Sequence, residues 1–134
     1  MADGMPSNSL TADDRVLRQE AKDVLDGARS RIATYTGLYT NENLIADVLG
    51  LCRAAATGVA PSARVREAYL LVEDRCRHLA KAADRYAPEQ FDVVAASRSR
   101  AIAAVDTFQD VIVESRRLAR QAGGPGVLLR RRAR

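Results

Sequence analysis

Four breaks decide what this chain can fold into. Gly37, Gly58, Pro88 and the run Gly123-Gly124-Pro125-Gly126 interrupt a sequence that otherwise favours helix. Glycine accepts the left-handed backbone that ends a helix, and proline disfavours helix at the residue before it. Between the breaks, apolar residues recur every three or four positions, the spacing of one helical face. The first stripe runs through Leu17, Ala21, Val24, Leu25, Ala28, Ile32 and Tyr35. Thr11 is placed to cap it, and Asp13 and Asp14 suit the positive end of the helix dipole. Gly27, beside the stripe, would let a neighbouring backbone approach.

The second stripe, after a cap at Thr40 or Asn41, comprises Leu44, Ile45, Val48, Leu49, Cys52, Ala55 and Ala56. The third opens with Pro61 in its first turn, a position where proline loses nothing. It continues through Val65, Ala68, Tyr69, Val72, Cys76, Leu79, Ala83 and Tyr86. The fourth, from about Pro88 to Ala122, carries Phe91, Val94, Arg98, Ile102, Val105, Phe108, Ile112 and Ala119. Trp is absent and aromatics are only 4% of the chain, so few segments have the dense aromatic or β-branched content of strands. The expected class is all-α. Short connections favour an antiparallel four-helix bundle, up-down-up-down, with a long fourth helix and a basic C-terminal tail. Residues 1–10 read as a flexible start, 11–122 as one domain, and 123–134 as a flexible Arg-rich tail.

Charge divides along the same boundary. Of 21 basic residues, seven arginines follow Glu114, the last acid. The first 114 residues therefore hold 14 bases against 17 acids, and the net charge of +4 belongs to the C-terminal end. This excludes a broadly basic body but leaves a local basic appendage. Arg116, Arg117 and Arg120, with Arg130, Arg131 and Arg132 beyond the glycine joint, are the candidate contacts to an anion or to nucleic-acid phosphates. That segment has no aromatic side chain for base stacking.

Chemical motifs are few. No nucleophile elbow or phosphate loop occurs. Cys52 and Cys76 fall on core stripes at different levels, which argues for two buried thiols and against a disulfide. Cys76 and His78 lie on different sides of one helix, so they cannot share an ion. With one histidine in the chain, neither a metal nor a cofactor is expected. Arg98 is the exception, an inward guanidinium between Val94 and Ile102. Such a group needs a carboxylate, carbonyls or an anionic ligand. Arg98, Cys76 and Tyr35 are thus candidates to line a small anion pocket, unless Arg98 turns outward along its methylene stem.

Off-stripe apolar residues point elsewhere. Leu51, Leu71, Val111, Val113 and Leu118 lie outside the stripes, and Val111 and Val113 flank Ile112, making the end of the fourth segment apolar nearly all round. A helix buried on more than one side has a second partner. Val111, Val113 and Leu118 are therefore the candidate partner contacts. The leading expectation is a small helical protein-interaction module, a regulator or adaptor, pairing with a second copy or another helical protein. Nucleic-acid association through the C-terminal arginines comes second, and a small helical enzyme or anion-binding protein around Arg98 third. No membrane span is expected. The N-terminus lacks a secretory h-region and free thiols suit a reducing compartment, so the expected location is cytoplasmic.

Overall fold

The computed structural model describes residues 12–37, 41–84 and 91–122, which form four α-helices and no strand. Thr11, Thr40, Tyr86 and Pro88, with the expected N-terminal segment 1–10 and C-terminal tail 123–134, lie outside the described residues.

Helix α1, Ala12–Thr34, has Asp13 and Asp14 in its first turn and Arg31 in its last, both favourable to the helix dipole. It buries Leu17, Ala21, Leu25, Ala28 and Ile32. Its end tightens as the Tyr35 amide donates to the Ile32 carbonyl, and Gly37 then takes a positive φ of 82°. Helix α2, Asn41–Ala55, buries Leu44, Val48, Leu49, Cys52 and Ala55. It closes in the same way, with Gly58 at φ 83°.

Helix α3, Ala63–Asp84, starts later than the position of Pro61 implies. Ser62 is the cap: its hydroxyl oxygen accepts from the Val65 amide at 3.1 Å, and its carbonyl accepts from the Arg66 amide at 3.0 Å. Pro61 therefore lies ahead of the helix, not in its first turn. The local capping bond outweighs the proline preference.

Helix α4, Phe91–Ala122, is 32 residues long, about 48 Å at the α-helical rise. Its buried face differs from the expected stripe. Val94, Val105, Phe108 and Ile112 are buried as expected, but Ser97, Ala101 and Ala104 replace Arg98 and Ile102, and Phe91 and Ala119 are exposed. Small residues facing inward let a neighbouring helix axis come close, and α4 packs more extensively against α3 than against any other helix. Ile102 and Arg98 move to the flank.

The main packing is of α1 on α2 and α4, and of α3 on α2 and α4, with a slighter contact between α2 and α4. The shared core holds Leu25, Ile32, Val48, Val72, Leu79, Val105, Phe108 and Ile112, all fully buried. The Tyr69 and Phe108 rings meet at 6.4 Å and 57°, a tilted aromatic pair between α3 and α4. Off-stripe apolar residues are largely absorbed within the chain. Leu51 lies over Gly27, its methyl 3.4 Å from where a Cβ would stand. A side chain, not a backbone, uses the space at that glycine.

Candidate functional site

The arginines of α4 carry most of the directed polar chemistry. Arg98 is half-buried, and its Nε and Nη2 donate to the carbonyls of Ile32 and Tyr35, at 3.2 and 2.7 Å. Arg116 donates from Nη2 to the carbonyls of Ala55 and Thr57, at 2.7 and 3.0 Å. These carbonyls lie at and just beyond the C-terminal ends of α1 and α2, where helical carbonyls run short of amide partners and the dipole is negative. Arg98 and Arg116 are 18 residues apart, five helical turns, so one face of α4 braces the ends of both helices.

Of the three residues expected to form an anion pocket, Arg98 and Tyr35 are brought together, but through the Tyr35 carbonyl. The guanidinium neither turns outward nor meets a carboxylate; the helix end receives it. Cys76 is fully buried, and burial pushes its thiol up to about 12. Cys52 is likewise buried and raised to about 12, first by desolvation and then by the nearby Cys76. Both are free thiols and neither is ionised near neutral pH.

The arginines expected to contact nucleic acid are also engaged. Besides Arg116, Arg117 donates twice to Glu114, at 2.6 and 2.7 Å, and Arg120 pairs with Asp13 at 3.3 Å. The two Arg117 hydrogen bonds hold the Glu114 carboxyl below its ordinary range. Arg130, Arg131 and Arg132 lie outside the described residues. The expected partner contacts divide as well. Val111 and Val113 are buried inside the chain, at 7% and 8% exposure, whereas Leu118 is 48% exposed. The apolar girth of α4 is thus used mostly within the molecule, and a second partner is not needed to explain Val111 or Val113.

A surface that the sequence reading did not single out lies between α3 and α4. Arg75, His78 and Lys81 follow one another at three-residue spacing on α3, and with Ala82 they face Val93, Ser97 and Arg100 of α4 across a groove of about 510 Å³. Asp74 partly offsets the charge, accepting from Arg75 at 2.6 Å and lying 3.3 Å from His78 Nδ1. Lys81 and Arg100 make no ion pair among the described residues. The three-residue basic row was the available signal. A row of that kind on one helix does not by itself say which α4 residues face it.

A second depression, of about 590 Å³, lies beside the α2–α3 turn and is lined by Ala56, Pro61, Val65, Tyr69 and the edge of Phe108, with Arg53 and Arg66 at its rim. Arg53 donates to the Tyr69 hydroxyl at 2.7 Å. Among the described residues no group of three or more His, Cys, Asp or Glu is placed to hold a metal ion, and no helix is long and apolar enough to cross a membrane. Compared with known proteins, the chain matches no family model, no curated protein and no solved structure.

Proposed function

We propose that the chain is a small helical protein-interaction module, built as an antiparallel up-down-up-down bundle and associating with a second copy of itself through the C-terminal turns of α4. Inter-helix pairs support the topology. Along α1 and α4, Asp13 meets Arg120, Arg29 meets Asp106, and the Ile32 carbonyl meets Arg98, so numbers rise on one helix as they fall on the other. Arg31 with Asp47 and Gly27 with Leu51 give the same sense for α1 and α2. Tyr69 against Phe108, with residues 75–82 of α3 sharing a groove with residues 93–100 of α4, gives it for α3 and α4.

That register sets Ala63, the first residue of α3, level with about Val113. The last turns of α4 then overhang α3 by roughly 14 Å. The observation that carries the reading is Leu118, a large apolar side chain 48% exposed on this overhang. The apolar depression beside the α2–α3 turn lies at the same end and offers a place for such a side chain from a second protomer. Self-complementary surfaces of this kind close into two-fold dimers. Regulator or adaptor work is the role we assign to such a module.

Light scattering behind gel filtration tests this reading. The wild type is expected to elute as a dimer at roughly 50 μM, above the micromolar constants of weak pairs. Leu118→Asp is expected to elute as a monomer of unchanged helicity. A wild type that stays monomeric at that concentration removes the proposal. Aspartate at Val111 or Val113 would instead report on folding, because both side chains are buried.

A further inference from the structure

The groove between α3 and α4 contains a polar group with no internal explanation. Ser97 is buried to 7% exposure, lines the groove, and has no hydrogen-bond partner among the described residues. A buried hydroxyl without a partner costs free energy, and native proteins satisfy nearly all such groups. Serine in a helix ordinarily returns its hydroxyl to the carbonyl one turn back, which this one does not. Lys81 and Arg100 line the same groove, neither in an ion pair among the described residues, as do Arg75 and His78, which share Asp74. Val93 and Ala82 make the remaining wall apolar.

We propose that this groove is a binding site for a small organic oxyanion, a phosphate or carboxylate head on an apolar body, with Ser97 donating to the head and Lys81 and Arg100 neutralising it. The chemistry of the lining divides in that way. An ammonium and a guanidinium supply charge-assisted hydrogen bonds to an oxyanion, and the guanidinium can grip two oxygens at once. The hydroxyl has both a proton to give and no competing acceptor. Val93, 53% exposed, is covered when the apolar body lies against it. A volume of about 510 Å³ suits a metabolite-sized ligand, as pockets of roughly 300–1,000 Å³ do in general. The site is separate from the overhanging end of α4 and stands whether or not the chain self-associates.

Phenyl phosphate and benzoate, titrated into the full chain and followed by amide chemical shifts, test the two head groups, with inorganic phosphate as the control that lacks the apolar body. Binding of phenyl phosphate or benzoate is expected, with inorganic phosphate weaker by about tenfold for want of apolar contact. Lys81→Gln and Arg100→Gln are each expected to weaken binding by about tenfold, and Ser97→Ala by about three- to tenfold. Ser97→Ala is also expected to raise the urea midpoint of the unliganded protein, since it removes an unpartnered hydroxyl and favours helix. Arg77→Gln is expected to change nothing, because Arg77 lies outside the groove and pairs with Glu73 at 2.7 Å. No binding of any probe at about 10 mM overturns the proposal. So does equal binding by wild type, Lys81→Gln, Arg100→Gln and Ser97→Ala, which would mark diffuse surface attraction. Inorganic phosphate binding as tightly as phenyl phosphate overturns the apolar half of the assignment.

Discussion

At Arg98 a single residue shows how far side-chain type constrains structure and where it stops. An arginine on an apolar stripe announces a requirement, a cluster of acceptors, without saying which. The acceptors are two carbonyls at the end of α1, and nothing local to Arg98 in sequence identifies them, because they lie 63 and 66 residues away. Arg116 meets the same need at the end of α2, although in sequence it looked like part of a basic run. Their removal strips each helix end of two charge-assisted hydrogen bonds, although the Ile32 carbonyl keeps the Tyr35 amide. Arg98→Leu is expected to destabilise the protein by about 2–3 kcal/mol, the range for hydrogen bonds to a charged group. Arg116→Leu is expected to cost about 1–2 kcal/mol, because the Thr57 bond is exposed. Urea unfolding measures both. An Arg98→Leu protein as stable as wild type would mean that the guanidinium contributes nothing as a brace, and leucine would be the better residue there. Arg98→Lys is expected to recover only part of the loss, since an ammonium cannot reproduce the fork that spans two carbonyls.

For the elements, existence was far more legible than facing. Glycine at 37 and 58 marked where α1 and α2 stop, because both positions need a left-handed backbone. The two glycines are nevertheless unequal. A Cβ at Gly37 would stand 3.1 Å from both the Cβ and the carbonyl oxygen of Ala83, while a Cβ at Gly58 meets nothing within 4 Å. Gly58→Ala is therefore expected to cost about 1 kcal/mol, the backbone penalty alone. Gly37→Ala carries that penalty plus a clash with α3 and is expected to cost about 2 kcal/mol or more. Equal midpoints for the two variants in chemical denaturation would contradict the close approach of Gly37 to Ala83. The facing of α4 was misjudged for a related reason. Apolar size favours Phe91 and Ile102, whereas the positions actually buried include Ser97, Ala101 and Ala104. Small side chains carry little hydrophobic signal but decide how near two axes come. The α3–α4 groove is hidden in the sequence for the same reason, since a serine between Val94 and Ala101 gives no hydrophobic signal for the face it lines.

Over the whole molecule, the two cysteines test how dry the centre of the bundle is. Both are fully buried, on different helices, and burial pushes each thiol from near 9 up to about 12. The dominant cause is desolvation, which penalises the thiolate and not the thiol. The effect on stability has a definite direction. Below about pH 9 neither the folded nor the unfolded chain ionises these groups, so their contribution is fully present. Between about pH 9 and 12 the unfolded chain gives up protons that the folded chain retains. Stability is then lost as pH rises, by up to about 1.4 kcal/mol per pH unit for each thiol. Tyrosine and lysine titrate in the same window, so the wild type alone is not decisive. Cys52→Ala/Cys76→Ala isolates the thiols. That variant is expected to be less stable at pH 8, because each truncation leaves a small void in a packed core. Between pH 8.5 and 10.5 its urea midpoint is expected to fall less steeply than that of wild type, and thiol reagents at pH 8 are expected to modify the wild type only as fast as the chain opens. Parallel midpoints across that range, or rapid labelling of the folded protein, would place water at Cys52 and Cys76. The core would then be looser than its burial implies, and the bracing of the helix ends by Arg98 and Arg116 would not be enough to close it.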